Sequence, residues 1–342
     1  MSNSSNANFA ELAGKRVLIT GGLGFIGSNL ASRCHAEGAA VTVYDCLDPH
    51  SGGNIYNVHA IENDIDIIVS DVRHLDDLCQ AVRQKDIVFN CAAHTSHSQS
   101  MTDPLIDIDV NCRGTINLLE AARRFNPDVK IVHVGTSTQM GRMIHSEADE
   151  THPEFPIDIY SANKSVSEKY VLIYGNAYGM RTTVVRLANN FGPRSNIRSP
   201  QFGFINYFIG LAMAGRDLTV FGDGHQLRNA SYVGDTVDAL LLAALNDSAN
   251  GEVLFAVADT QCNVAEIARS ICDCIGGEVR FVEWPKEREA IEVGDAIISN
   301  EKIKRVLGWS PRVSMRDGLE RTREFFRPHL QHYIEPGSAK AA

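Results

Sequence analysis

Val17-Leu18-Ile19-Thr20-Gly21-Gly22-Leu23-Gly24-Phe25-Ile26-Gly27-Ser28 is an apolar, β-branched run that breaks into glycines and then into an apolar helical pattern. The run reads as a buried strand, the glycines as a sharp turn, and Phe25 as the start of a helix. Gly22, Gly24 and Gly27 satisfy G-x-G-x-x-G, while Gly21, Gly24 and Gly27 give the G-x-x-G-x-x-G variant. Glycine suits such a turn because a pyrophosphate must approach bare backbone and then sit on the free N–H groups of the helix N-terminus. A glycine motif alone is a weak signal. Here a second strand, residues 40–44, ends at Asp45, an acid about 20 residues on that can accept both ribose hydroxyls and would repel a 2′-phosphate. The stretch predicts NAD binding, with NAD favoured over NADP.

The rest of the composition sets outer bounds. A chain of 342 residues buries a large core, as one composite or two domains. A net charge of −10 argues against nucleic acid or an anionic membrane as the main partner. No apolar run reaches the roughly 20 residues of a membrane span, and the first residues are polar with no signal-peptide core. Eight cysteines are scattered without C-x-x-C pairs, and Cys272 and Cys274 fall inside a helical pattern where packing explains them. The expectation is a reduced, cytoplasmic protein without a metal.

Strand and helix patterns alternate from residue 16 to 187, which predicts an α/β, Rossmann-like doubly wound parallel sheet. Strands fit 17–20, 40–44, 66–70, 87–91, 130–134 and 182–187; helices fit 25–37, 75–82, 104–124 and 160–178. Beyond 193 a smaller C-terminal α/β lobe follows, with a strand at 253–257 rejoining the main sheet. The expected division is a disordered lead at 1–12, a cofactor domain at 13–190 joined by 229–258, a substrate-binding lobe at 191–228 and 259–330, and a loose tail at 331–342. Ligands of such sheets lie beyond the strand C-terminal ends, which draws attention to 21–27, 45–47, 71–72, 91–99, 136–141 and 189–193.

Tyr160-Ser161-Ala162-Asn163-Lys164 puts a tyrosine and a lysine one helical turn apart on one face. Alone this is a common surface pair; downstream of a dinucleotide turn it suggests a phenolic base. Bringing a tyrosine from its reference pKa of about 10 toward neutrality requires roughly 4 kcal/mol, on the scale of a nearby ammonium plus a cationic cofactor ring. The strand end Thr136-Ser137-Thr138 offers hydroxyl partners.

With these motifs in hand, the chain resembles the extended short-chain dehydrogenase/reductases of the nucleotide-sugar epimerase/dehydratase family, the UDP-galactose 4-epimerase-like enzymes. The resemblance spans residues 15–326. It rests on 21–27, Asp71-Val72, Cys91-Ala92-Ala93, Asn111-x-x-Gly114-Thr115, the Tyr160/Lys164 pair, Arg186-x-x-Asn189-x-Phe191-Gly192-Pro193, and Gly222-Asp223-Gly224-x-Gln226-x-Arg228 followed by Tyr232-Val233-x-Asp235. It implies that Gly21, Gly24, Phe25, Ile26 and Gly27 hold the NAD pyrophosphate and that Asp45, with Cys46, holds the adenosine ribose. It further implies Asp71 and Val72 at the adenine, and Cys91, Ala92, Ala93 and Thr95 on the nicotinamide side. Thr136, Tyr160 and Lys164 match the catalytic group, with Lys164 also on the nicotinamide ribose. Ser96, Thr136, Ser137, Asn189 and Arg228 match substrate contacts, Arg228 at a nucleotide diphosphate. A homodimer through helices 104–124 and 160–178 is implied as well.

Met140 stands where the family usually has tyrosine, and Gly135 replaces a frequent serine. His94 to Gln99 form an unusually polar loop, expected to be solvated or orienting, with a share in substrate recognition as the sharper alternative. The resemblance implies an NAD-dependent epimerase acting on a nucleotide diphosphate sugar, at C4. A 4-dehydrogenase, a 4,6-dehydratase or a decarboxylase is the alternative within the family. A non-catalytic NAD-binding scaffold is the remote one, because hydroxyl, tyrosine, lysine and phosphate-binding arginine are all present.

Overall fold

Val17, Leu18 and Ile19 are fully buried in β1 (Arg16–Thr20), as a strand covered on both faces requires. The computed structural model describes residues 9–48, 51–145, 147–289 and 292–334. The strands that follow are β2 (Ala40–Asp45), β3 (Asp66–Val69), β4 (Ile87–Asn90), β5 (Lys130–Thr136), β6 (Thr182–Leu187), β7 (Asn189–Phe191), β8 (Leu218–Phe221), β9 (Leu227–Tyr232), β10 (Val253–Ala256), β11 (Gln261–Asn263) and β12 (Val279–Val282). The helices are α1 (Phe25–Ala36), α2 (Leu75–Ala81), α3 (His97–Thr102), α4 (Pro104–Asp107), α5 (Gly114–Phe125), α6 (Ile159–Tyr178), α7 (Phe204–Met213), α8 (Val233–Leu245), α9 (Val264–Cys274), α10 (Lys286–Glu289), α11 (Glu301–Leu307) and α12 (Met315–His329).

Seven parallel strands in the order β10-β6-β5-β4-β1-β2-β3 form the main sheet. Val17 and Ile19 face a core built with Leu30 of α1 and Leu240 of α8. Leu18 faces the opposite core, with Leu78 of α2, Leu118 of α5 and Val171 of α6. Side-chain alternation along one strand thus feeds both layers, and the expected doubly wound sheet is present, with β10 rejoining it beside β6.

The smaller lobe packs α7, α9 and α12 around Ile209, Ile267 and Phe326. Its β7-β9-β11 sheet was not expected, since two of those strands are three residues long. Cys272 and Cys274 of α9 pack against this core. In contrast to the expected lobe boundaries, Ile303, Leu307 and Trp309 lie in the main core, where the Trp309 indole donates to the Asp235 carbonyl at 2.9 Å.

The ends differ from expectation as well. Residues 1–8 and 335–342 lie outside the described residues, but Phe9 and Leu12 are buried in the main core. At the other end the buried Tyr333 donates to Asn57 Oδ1 at 2.7 Å. Aromatic burial anchors both short segments. The single helix expected over 104–124 is α4, a π-helical stretch Ile108–Arg113, and α5. A π-turn inserts a residue and often marks a functional site.

Candidate active site

The glycine turn leaves β1 at the sheet's C-terminal edge. Gly21 has φ +64°, and a Cβ there would fall 2.7 Å from the Ala92 amide nitrogen. A Cβ on Gly27 would run into the Gly21 carbonyl oxygen, so α1 can approach the turn only with glycine there. Gly24 precedes α1, and no side chain caps that helix. Its leading amides are therefore available to an anion.

A cleft of about 420 Å³ runs from this turn along the strand ends. Gly21, Gly24, Phe25, Ile26, Gly27, Asp45, Cys46, Asp71, Val72, Cys91, Ala92, Ala93 and Thr95 all line it, as do Thr136, Ser137, Tyr160, Lys164, Asn189 and Arg228. Asp45 is buried, and burial raises its pKa; its Oδ2 accepts from the Leu23 amide (3.0 Å) and its Oδ1 from the Leu47 amide (2.9 Å). Each oxygen keeps acceptor capacity for a hydroxyl. The carboxyl of Asp71 is pushed up by burial, but the Arg73 guanidinium, 2.7 Å away, outweighs this and holds it below its usual value. Cys91 is partly buried, and desolvation pushes its thiol up to about 12, an inert packing thiol. The open turn, the uncapped helix and the Asp45 acceptors fit a dinucleotide.

At the reacting end, Tyr160 is buried with the Thr136 hydroxyl close enough to act on its phenol. Burial raises its pKa, Thr136 opposes this, and Asp107 and Asp158 add to the rise. Lys164, expected to lower it, is not among the groups acting on it; the ammonium has partners of its own. It donates to the Val134 carbonyl at 2.7 Å and lies 3.3 Å from His133 Nε2. Burial lowers the Lys164 pKa to about 8, against the pull of Glu168. His133 is pushed well below its usual value by burial, with Lys164 adding to the effect, and so stays neutral. Its Nδ1 lies 3.0 Å from Asn90 Nδ2, and Asn90 Oδ1 accepts from Thr20 at 2.8 Å. A buried polar chain thus ties the lysine to the end of β1.

The polar loop expected at 94–99 is partly helical. Ser96 is buried, and its hydroxyl caps α3 by accepting from the Gln99 amide at 3.1 Å. That commits the hydroxyl to the fold rather than to the cleft wall. His94 Nδ1 lies 2.9 Å from the buried Asp107 carboxylate, which raises the histidine's pKa against the cost of burial. His94 Nε2 is buried without a hydrogen-bond partner. Asp107 Oδ1 also accepts from Asn111 (2.9 Å) and Asn163 (2.8 Å), so the π-turn, α6 and the loop are locked together.

Arg228 lines the cleft but is not free. Its guanidinium pairs with Glu292 at 2.7 Å and donates to the Gly294 carbonyl at 2.6 Å. A diphosphate there would compete with Glu292. Sequence reasoning missed Glu292, Asp107, Asp158 and His133. His133 had a signal, a lone polar ring inside the apolar strand 130–134; Glu292, 64 residues from its arginine, had none.

A doubly wound sheet whose glycine turn opens onto a Thr–Tyr–Lys group is that of an extended short-chain dehydrogenase/reductase. The chain belongs to the NAD dependent epimerase/dehydratase family, matched over residues 17–257. It is similar to a UDP-glucose 4-epimerase of Mycolicibacterium smegmatis, 33% identical over 92% of this chain and 100% of that one. It is also similar to a UDP-N-acetyl-alpha-D-glucosaminuronate decarboxylase of Bacillus cytotoxicus, 32% identical over 92% of this chain and 98% of the other. A Thermus thermophilus UDP-glucose 4-epimerase in complex with NAD superposes with a TM-score of 0.81 at 28% identity, over 91% and 99% of the two chains. The cofactor of this enzyme is NAD.

Proposed function

We propose that the protein is a nucleotide-sugar 4-epimerase. One observation carries this reading: among the described residues, the carboxylates lining the cleft are Asp45 at the end of β2 and Asp48 and Asp71 on the loops after β2 and β3, none of them on β5 or the loop that follows Thr136. Eliminating water from a sugar needs an acid and a base beside the oxidised carbon. Thr136 is instead followed by Ser137 and Thr138, and the Thr138 hydroxyl accepts from Ser161 at 2.9 Å. Gln139 points away, donating to Glu154 and Glu168.

The glycine turn would hold the pyrophosphate, Asp45 the adenosine ribose, Asp71 and Val72 the adenine, and Lys164 the nicotinamide ribose. Bound NAD supplies reversible hydride acceptance. Tyr160 would take the proton of the C4 hydroxyl and give it back, while Thr136 holds the same oxygen. Arg228 would exchange Glu292 for the substrate diphosphate, with Asn189 nearby. Release of the oxidised sugar, a 4-dehydrogenase outcome, uses the same groups and is the second reading.

The exposed apolar side chains Leu105, Ile108, Val166 and Ile173 on neighbouring helices favour a homodimer through that face. Eight free thiols favour a reducing, cytoplasmic setting. The test is mass spectrometry of nucleotides and nucleotide sugars retained by the purified protein. NAD with a nucleoside diphosphate sugar is expected; retention of neither class would refute the reading.

A further inference from the structure

The Asp158 carboxylate works in two directions. Its Oδ1 accepts from the Ser161 amide at 2.8 Å and caps α6; its Oδ2 accepts from His97 Nδ1, also at 2.8 Å. A carboxylate only accepts, so Nδ1 carries a proton, and in the neutral imidazole Nε2 is left as the acceptor that can meet a ligand. An exposed histidine–carboxylate pair would mean little. Here the carboxylate is buried and already fixed as a helix cap, so the plane and tautomer of the imidazole are set.

The position of that ring is informative. It packs edge-on against the Tyr160 ring, with centroids 4.8 Å apart and planes at 76°. The side chain is 38% exposed and forms part of the cleft wall. Ser100, on the same helix α3, accepts from the Tyr160 amide at 3.1 Å, which joins α3 to the start of α6 as one corner. Lys164 lies one turn further along α6 and lines the same cleft. Next to His97, the α3 residues Ser98, Gln99 and Thr102 line a second cavity of about 700 Å³. The two spaces share Ser51, Asn196, Gln201 and Phe202. His97 therefore stands where they meet, beside the ring of Tyr160.

We propose that His97, oriented by Asp158, contacts the sugar of the substrate next to the carbinol that faces Tyr160, with Nε2 accepting a hydrogen bond from a sugar hydroxyl. This rests on the nucleotide-sugar reading. One histidine supplies one proton-transfer group, so it does not by itself enable loss of water, which needs two.

The tautomer gives the test. Asp158→Asn keeps an Oδ1 acceptor for the α6 cap, since Asn caps as well as Asp. It turns an amide N–H toward His97 Nδ1, which forces the ring proton to Nε2 and makes that nitrogen a donor. Calorimetric titration of the NAD-loaded protein first identifies the tightest ligand among UDP-, dTDP-, CDP- and GDP-glucose. That nucleotide sugar and its parent nucleoside diphosphate are then titrated into wild type, His97→Ala and Asp158→Asn. The expected result is unchanged diphosphate affinity in both variants and about tenfold weaker nucleotide-sugar affinity, one hydrogen bond's worth. Unchanged nucleotide-sugar affinity in both variants overturns the contact. Equal losses for sugar-bearing and sugar-free ligands overturn it too, by showing a general disturbance of the fold. A wild type that binds none of the four sugars overturns the nucleotide-sugar reading, and the His97 contact with it.

Discussion

The Lys164 ammonium nitrogen lies 2.7 Å from the Val134 carbonyl oxygen and 3.3 Å from the neutral His133 ring. Burial among partners that carry no charge depresses its pKa to about 8. Below that value the lysine is a cation in the folded protein; between about 8 and its ordinary 10.5 only the unfolded chain keeps the proton. This group's contribution therefore opposes folding below pH 8, and the opposition fades as pH rises. NAD affinity should run the other way, flat to about pH 8 and falling above it as the cation is lost. Lys164→Met should bind NAD weakly with no such fall. A wild-type affinity constant across that range would contradict the role given to Lys164.

Tyr160→Phe removes the titratable oxygen and leaves the ring contact with His97. Turnover should fall by about 10²–10⁴, the usual worth of a positioned acid or base. The melting temperature and NAD content should stay near wild type. Turnover close to wild type would mean that another group moves the proton.

In the proposed site the Asp45 carboxylate would meet a 2′-phosphate, so NAD should bind more tightly than NADP. Asp45→Asn keeps an acceptor for the Leu23 or Leu47 amide and removes the charge. The NAD-to-NADP affinity ratio should narrow by at least about tenfold, or ~1.4 kcal/mol. Fluorescence titration with both cofactors measures it.

Beneath the site, Arg186 is buried and paired with Glu168 (2.6 Å) and Glu154 (2.7 Å). Glu168→Ala leaves that guanidinium short of a partner and should cost about 3 kcal/mol in urea unfolding. Glu154 is pushed up by burial, but Lys169, Ser165 and Arg186 together bring it down to about 2. Its folded pKa lies below its ordinary 4.5, so its stabilisation is complete above that value and fades as pH falls toward 2. Glu154→Gln should flatten this part of the acid-unfolding profile.

The homodimer face makes its own prediction. Ile173→Glu places a charge in the exposed apolar stripe and should give monomers by light scattering where wild type gives dimers. A monomeric wild type at micromolar concentration would remove the proposal.

Much of this was legible in the sequence because periodicity and glycine placement are local. Residues 17–28 alone locate β1, the turn and α1; the strand expected at 182–187 matches at both ends, and the helices expected at 25–37, 75–82 and 160–178 match to within one residue at each end. Features set by distant partners were not legible. Helix α3 hides in polar residues whose only signal is the Ser96 cap. The restraint of Arg228 by Glu292 joins two loops that no periodicity connects. The site was thus readable as a set of residue types at strand ends, while which of them are already engaged by one another was not.

The central claim is reversible oxidation at one carbinol with nothing expelled, and weighing the products tests it most directly. The NAD-loaded enzyme is incubated with candidate nucleotide sugars, and products are analysed by mass spectrometry together with NMR of the sugar ring. Unchanged mass with inverted C4 stereochemistry is expected; a product lighter by one water or one carbon dioxide would rule out the 4-epimerase.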